Sequence, residues 1–436
     1  MNTFRIKSLS LEGFRSFKKT ELVFPESNVL LLIGNNGKGK SSILDSIAIL
    51  LSDFVKRIRD TSNGKNGLSI QRNDVSQAES KTIIKGGFEE DEQAFYIRLT
   101  NSLEFSKNKD TDYTNFVIKF KHRASFSNLP ILVYYKSNRF FKPAKDFRPN
   151  LLSNASDNSP FSCYDNAFSN LDITFEDFQT WFRLEEDEET EAMRRLQDFA
   201  STNYKLDNIR ECIKLFFTNL EDHETSFSDL RVLRTGAKSK LVIKKDGLEF
   251  ELEQLSDGER MLLLLVCDIA RRLGIAHQVG YITGGLLKTF DPLSGSGIVL
   301  IDEIDMHLHP KWQRNVLPAL TKTFPNIQFI ATTHSAQVLS RAHRDSIRVL
   351  DNGKILAVSS NPIGRDANAI LEEIQQVSKR PNEIEMLIDS YFARINNNDF
   401  EAASGFKKQL LGYLDIEDPV FARGNAMMER KKMLML

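Results

Sequence analysis

The sequence reads as an α/β protein with mixed antiparallel and parallel sheets around a phosphate-binding loop, with a helical insertion and a helical C-terminus. Three stretches support this reading. An apolar run enters "GNNGKGKS" at residues 34–41, another ends in acids at "GIVLIDEID" (297–305), and a third ends on histidine at "NIQFIATTH" (326–334). Unbroken apolar runs with a polar residue at the exit suit buried parallel strands, and ligands gather where such strands end.

The elements follow in order. "FRIKSLSLEGF" (4–14) alternates and stops at a glycine turn, so it reads as a strand, followed by strands in "TELVFP" and "NVLLLIG". "KSSILDSIAILLSDFVKRIR" then sets Ile43, Ile47, Leu50, Leu51 and Phe54 at helical spacing. "DTSNGKNG" is a loop. Residues 81–135 read as strands again, including "FYIRLT", "NFVIKFKH" and "ILVYY". The Asn- and Ser-rich stretch 149–160 reads as a loop and 172–220 as helix, without sustained heptads. "DLRVLR", "KLVIKKDG" and "LEFELEQ" return to strand, residues 297–357 alternate strand and helix, and only helical patterns follow Pro381. The expected organisation is an N-terminal lobe at 1–148, a mostly helical insertion at 149–228, a C-terminal lobe at 229–380 and C-terminal helices at 381–436.

Bulk properties narrow the function. With 58 Lys and Arg against 59 Asp and Glu, the net charge is −1, so any nucleic-acid contact must come from a local patch. Cys163, Cys212 and Cys267 are widely spaced, which argues against a zinc ribbon or a disulfide framework and suits a reducing cytoplasm. The N-terminus lacks a signal-peptide pattern and no apolar run is long enough to span a membrane, so a cytoplasmic protein is expected.

Gly34, Gly39, Lys40 and Ser41 satisfy G-x-x-x-x-G-K-[ST]. Glycines let backbone N–H groups converge on phosphate oxygens, and the helix that follows adds its positive end. Residues Asn35, Asn36, Gly37, Lys38, Gly39, Lys40, Ser41 and Ser42 are therefore the expected cradle. Lys40 would reach the β- and γ-phosphates and the Ser41 hydroxyl would ligate Mg²⁺. At the second strand end, Asp302 would hold the Mg²⁺ shell and Glu303 would polarise the attacking water. His334, at the third, would touch the γ-phosphate. "MHLHP" (306–310) places His307 and His309 near Asp305, but one H-x-H lacks zinc-site spacing, and a structural loop is the expectation.

A second helix start, "LSDGER" (255–260), precedes the apolar "MLLLLVCDIA". Phosphate loop, "LSDGE", "LIDEID" and strand-end histidine occur in the order of an ABC-type ATPase head, and the chain resembles one. "LSDGE" stands where transporters carry LSGGQ, with Asp257 and Glu259 as the departures, both familiar in the RecF/SMC branch. "GFRSF" (13–17) is similar to the N-terminus of RecF-like proteins, which makes Arg15 a nucleotide-proximal candidate. The resemblance implies two heads that close face to face on ATP. Ser256, Gly258 and the N–H groups at Glu259 would then touch the γ-phosphate held by the partner head. It also implies an Mg²⁺-sensing glutamine after the first helix, either Gln71 or Gln77.

"ILVYYKSNR", "LSDGERMLLLLVCDIARRL", "IVLIDEIDMHLHPKWQRNVLPAL", "FPNIQFIATTHSAQVLS" and "GRDANAILEEI" resemble the RecF-like ATPases of bacterial defence loci, of the Septu PtuA type and its retron-linked relatives. This implies ATP and Mg²⁺ as cofactors, a homodimer or higher oligomer, an HNH-nuclease partner, and, if retron-linked, a reverse transcriptase with its RNA–DNA product. No intrinsic nuclease is expected: there is no zinc-type cysteine set, and the residues after His334 read mostly as helix. The alternative is a RecF/SMC-like repair ATPase that clamps DNA itself. "NRFFKPAKDFR" (138–148), with Arg139, Lys142, Lys145 and Arg148 among phenylalanines, is the candidate for nucleic acid or a core-anchored loop. "EEDEETE" (185–191) reads as a solvated acidic surface. Ile384, Leu387, Ile388 and Phe392 share one side of a C-terminal helix that either packs on the head or forms a docking arm.

Overall fold

The computed structural model describes residues 3–59, 68–76, 79–102, 111–124, 128–137, 159–168, 175–197, 203–220, 225–235, 238–277, 292–373 and 380–434. The chain divides into two compact units, Met1–Arg365 and Asp366–Leu436. The basic-aromatic stretch 138–148, most of the polar stretch 149–160 and Gln77 lie outside the described residues.

Among the described residues the first unit contains three sheets. An antiparallel sheet orders β2 (Phe17–Val23), β1 (Phe4–Phe14), β4 (Lys81–Glu90) and β5 (Gln93–Ser102). A six-stranded sheet orders β13 (Lys354–Ala357), β12 (Ile347–Asp351), β3 (Val29–Ile33), β11 (Ile327–Thr332), β10 (Gly297–Ile301) and β6 (Ile131–Tyr135). All its pairings are parallel except that of β13 with β12. The apolar runs identified in the sequence form its centre. A small antiparallel sheet joins β7 (Phe227–Thr235), β8 (Lys238–Lys245) and β9 (Leu248–Glu251).

Helix α1 (Lys40–Ile58) packs against strands of both larger sheets. Ile43, Leu44, Ile47, Leu50, Leu51 and Phe54 are all buried, so the helix is apolar over more than one stripe, as a helix covered on both sides must be. Phe54 joins a cluster with Phe4, Phe88, Phe95, Phe116 and Phe120. One buried amide stitches the sheets together. Gln328 on β11 accepts the Ile6 N–H (2.9 Å) and donates to the Ile6 carbonyl (3.1 Å), where the pairing of β1 with β4 slips register. The backbone groups freed by that irregularity thus find partners.

Two expectations are corrected. "NFVIKFKH" is not a strand but part of helix α2 (Thr111–Ala124). Tyr113, Phe116, Val117 and Phe120 are buried at spacings of three and four, the helical period, which outweighs the β-forming residue types. "EEDEETE" is a solvated helix surface only in part, at Asp187, Glu188 and Glu191. It lies in helix α3 (Phe175–Leu196), where Glu185, Glu186 and Glu189 are buried. Glu185 pairs with Lys205 (2.6 Å) and Glu189 with Arg210 (3.2 Å), both on helix α4 (Tyr204–Leu220), and Glu186 pairs with Arg234 of β7 (3.1 Å). Buried carboxylates need such partners: Glu185 and Glu189 tie α3 to α4, and Glu186 ties α3 to the third sheet.

The second unit holds α8 (Ala367–Glu373), α9 (Asn382–Asn396), α10 (Phe400–Leu410) and α11 (Pro419–Leu434). It has its own core of Tyr391, Ile395, Ala403, Leu410 and Phe421, against which Ile384, Leu387, Ile388 and Phe392 pack. Among the described residues no helix is long and apolar enough to cross a membrane.

Candidate nucleotide site

The phosphate loop runs from the end of β3 to the start of α1. Gly37 and Gly39 adopt φ of 78° and 97°, values that L side chains rarely take and that let successive N–H groups converge on an anion. A Cβ on Gly39 would lie 2.6 Å from the Phe17 ring, so the position admits only glycine. Asn35, Asn36 and Gly37 are exposed. Lys38 is turned to the hairpin between β12 and β13, donating to Asn352 Oδ1 (2.6 Å) and pairing with Asp351 (3.0 Å). Lys40 folds over the loop and donates to the carbonyls of Gly34 (2.7 Å) and Asn35 (3.3 Å). Burial lowers its ammonium below the ordinary lysine value, although Asp302, Glu303 and Asp305 pull the other way. A cation poorly solvated by water at the mouth of such a loop is poised for a polyanion.

Parallel pairing brings the second cluster beside the loop. In strand order β3, β11 and β10 are neighbours, so their ends converge. Ser41 Oγ donates to Asp302 Oδ1 at 3.2 Å, joining the start of α1 to the end of β10. The same Oδ1 accepts the Thr332 hydroxyl at 2.6 Å, and Thr332 Oγ1 accepts the Glu303 N–H at 2.7 Å. Glu303 sits at φ 51°, an unusual backbone state for a non-glycine residue and one that concentrates at functional positions. A hydroxyl and a buried carboxylate at this separation form a hard-oxygen donor set that fits Mg²⁺ and leaves room for waters and phosphate oxygens. His334 follows β11 and is exposed. Burial of part of its ring, then the charge of Lys40, lowers it below the ordinary imidazole value, against the pull of Asp305, Glu303 and Asp302.

Arg15 has a left-handed backbone (φ 49°), and its side chain is shared between two acids. Nε meets Asp74 Oδ1 at 2.8 Å, Nη1 meets Asp45 Oδ2 at 2.6 Å, and Nη1 also donates to Ser42 Oγ at 3.4 Å. Burial pulls this guanidinium down, but the two carboxylates outweigh it and raise it. Arg15 is therefore held beside the first turn of α1 with about a third of its side chain exposed. Gln71 is exposed and donates to Ser69, both to its carbonyl and to its hydroxyl.

The "LSDGE" turn opens helix α5 (Asp257–Ala276) as a capping box. Ser256 Oγ accepts the Glu259 N–H (3.4 Å), while Glu259 Oε2 accepts both the N–H and the hydroxyl of Ser256 (2.8 Å each). Lys245 of β8 adds a 2.5 Å contact to Glu259 Oε1. Glu259 is thus turned inward, with its N–H and carboxylate used inside the chain, whereas Ser256 and Asp257 are exposed. Gly258 is buried against the segment that follows Glu303. In that segment His309 caps helix α6 (Pro310–Thr323) by accepting the Lys311 N–H, and Asp305 accepts the Thr333 hydroxyl (2.5 Å).

Sequence reasoning missed Thr332, Asp45, Asp74 and Lys245. Thr332 had a signal, since it precedes His334 at a strand end. The other three are ordinary charged residues whose partners are distant in the chain.

The family described as "AAA domain, putative AbiEii toxin, Type IV TA system" matches residues 29–340. The chain is 30% identical to "Retron Vc95 probable ATPase" of Vibrio cholerae serotype O1 biovar El Tor, over 89% of this chain and 82% of that protein. It is 27% identical to "Retron Ec83 probable ATPase" of Escherichia coli, over 87% and 77%. It is 26% identical to "Septu protein PtuA" of Bacillus mycoides (strain KBAB4), over 82% of this chain and 40% of that protein. Both the phosphate loop and the strand-end acids fall within the matched span, and the chain belongs to this AAA-domain family, with the retron ATPase of Vibrio cholerae a relative over most of both chains.

Proposed function

We propose that the protein binds ATP with Mg²⁺, hydrolyses it, and uses the cycle as a dimeric switch in antiphage defence that controls a partner HNH-type nuclease. The observation that carries the reading is the junction of Ser41, Asp302 and Thr332 at the ends of parallel strands, with Glu303 presented from a left-handed backbone. Lys40 and the loop N–H groups bind the phosphates. Glu303 orients and polarises the attacking water, and His334 offers a hydrogen bond to the γ-phosphate. Ser41 and Asp302 would hold Mg²⁺, which supplies charge neutralisation on the phosphates. Arg15 reaches the nucleotide from beside α1. The exposed Ser256 turn at the start of α5 closes the partner head's site, the positive end of that helix facing a phosphate.

On this reading 1–148 and 229–380 are the two ATPase lobes, 149–228 the insertion and 381–436 the C-terminal helices, and the chain has no nuclease of its own. The names of the retron and Septu relatives support the defence setting, with a reverse transcriptase and its RNA–DNA product as further partners if the chain is retron-linked. The test is size-exclusion chromatography of Glu303→Gln with ATP and Mg²⁺, beside a turnover assay of both proteins. A trapped dimer without turnover supports the switch. A Glu303→Gln protein that stays monomeric and hydrolyses ATP at the wild-type rate overturns it.

A further inference from the structure

Helix α5 carries a buried charge cluster that the phosphate chemistry leaves unused. Asp268 and Arg272, one turn apart, are each 1% exposed. Arg272 Nε meets Asp268 Oδ2 at 2.7 Å, and its Nη1 donates to the carbonyls of Cys163 (2.5 Å) and Asp165 (3.0 Å). Arg271 meets Asp268 Oδ1 at 2.7 Å. Burial alone would raise the Asp268 carboxyl, but Arg272 and Arg271 outweigh it and hold it at about 2. Coulomb attraction at such depth does little more than offset lost hydration, so a buried pair is better explained by the single arrangement it imposes.

What it orients is the end of β6. Tyr135 Oη donates to Asp268 Oδ2 at 2.8 Å, and burial pushes that hydroxyl well above the ordinary tyrosine value, so it remains a donor. Tyr135 is also the last residue of β6, and its carbonyl accepts the Asp302 N–H at 2.8 Å. One residue is therefore held by α5 through its ring and holds Asp302 through its backbone. The other end of the same uninterrupted helix is the Ser256 cap, and a helix of roughly three turns between the two points moves as a rod.

We propose that Tyr135 is a positioning residue that ties the Ser256 helix to Asp302, so that engagement of a phosphate at the helix start is felt at the strand-end carboxylate. This rests on the reading of Asp302 as part of the nucleotide site. A shift of α5 pulls the Tyr135 ring through Asp268, and the Tyr135 carbonyl carries the shift to the Asp302 N–H.

The test compares Tyr135→Phe with Tyr164→Phe in the full chain. Tyr164 is an equally buried tyrosine whose hydroxyl donates to the Pro130 carbonyl (2.7 Å) instead of to α5. The expected result for Tyr135→Phe is a roughly tenfold fall in kcat and a several-fold higher Mg²⁺ midpoint for nucleotide binding, with ATP affinity in EDTA within about twofold of wild type. Tyr164→Phe should lose comparable thermal stability and keep kcat within about twofold. The inference is overturned if Tyr135→Phe matches wild type in both readouts, or if Tyr164→Phe falls as far. Should wild type bind nucleotide without measurable turnover, the Mg²⁺ midpoint alone decides. A wild-type protein that binds no nucleotide sinks the functional reading and this inference with it, whereas normal wild-type turnover with an unaffected Tyr135→Phe sinks the inference alone.

Discussion

Gly258 lies against the backbone carbonyl of His307, so that a Cβ on it would stand 2.7 Å from that oxygen. The turn is thus packed against its own chain, on the segment that follows Glu303. Gly258→Ala must displace His307 even in an isolated protomer. We expect a stability loss of about 1–3 kcal/mol, the scale of overpacking in a close contact. A thermal melt without nucleotide should show a Tm lower by a few degrees. An unchanged Tm in that state would mean the contact yields freely, leaving only a role between protomers.

Thr332 joins both halves of the strand-end acid site. Thr332→Val keeps the shape but removes the hydroxyl that donates to Asp302 and accepts the Glu303 N–H. An orphaned buried group costs about 1–3 kcal/mol, so turnover should fall by roughly tenfold to a hundredfold. Nucleotide binding in EDTA should persist, because the loop is untouched. Steady-state kinetics beside equilibrium binding checks this, and equal losses in both would contradict it.

Glu186, in an acidic run that reads as solvated, is buried. It accepts the Val232 N–H (3.0 Å) and pairs with Arg234 (3.1 Å), joining α3 to the third sheet. Glu186→Ala should destabilise the protein by about 1–3 kcal/mol through the lost acceptor. Glu188→Ala on the same helix should cost nothing measurable by urea denaturation, since its side chain is exposed.

The Asp268 cluster sets an acid limit. Its carboxyl is held at about 2 against an ordinary 3.8, by Arg272 and Arg271 overcoming burial. A depressed carboxylate contributes stability that is complete above the unfolded value and lost as pH falls through the folded one. Denaturation midpoints should therefore be insensitive to this group from neutrality to about pH 4 and fall below that. In Asp268→Asn the loss should already be present at pH 7, with a flatter acid limb. A parallel acid limb in the variant would remove Asp268 as the source.

The legible parts of this fold were the local ones. "VLLLIGNNGKGKS" carries strand, loop and helix within one short window, because apolar run, glycine conformation and helix start are each set by neighbouring residues. The strand-end acids, the capped Ser256 helix and the helical C-terminus were legible for the same reason. "NFVIKFKH" was misread because β-branched and aromatic composition was weighed above spacing, and burial on one helical face prevailed.

Residue types and short-range spacing announced an α/β fold around a phosphate loop, and the order of the motifs resembled that of an ATPase head. Folding in three dimensions chose the partners: Glu186 with Arg234, Gln328 with Ile6, Tyr135 with Asp268, and Gly258 with His307. Each joins segments far apart in the chain, and a charged or amide side chain looks the same in sequence whether it meets water or a buried counterpart. Which of the two it meets depends on desolvation and close packing, and those exist only once the sheets and helices have come together.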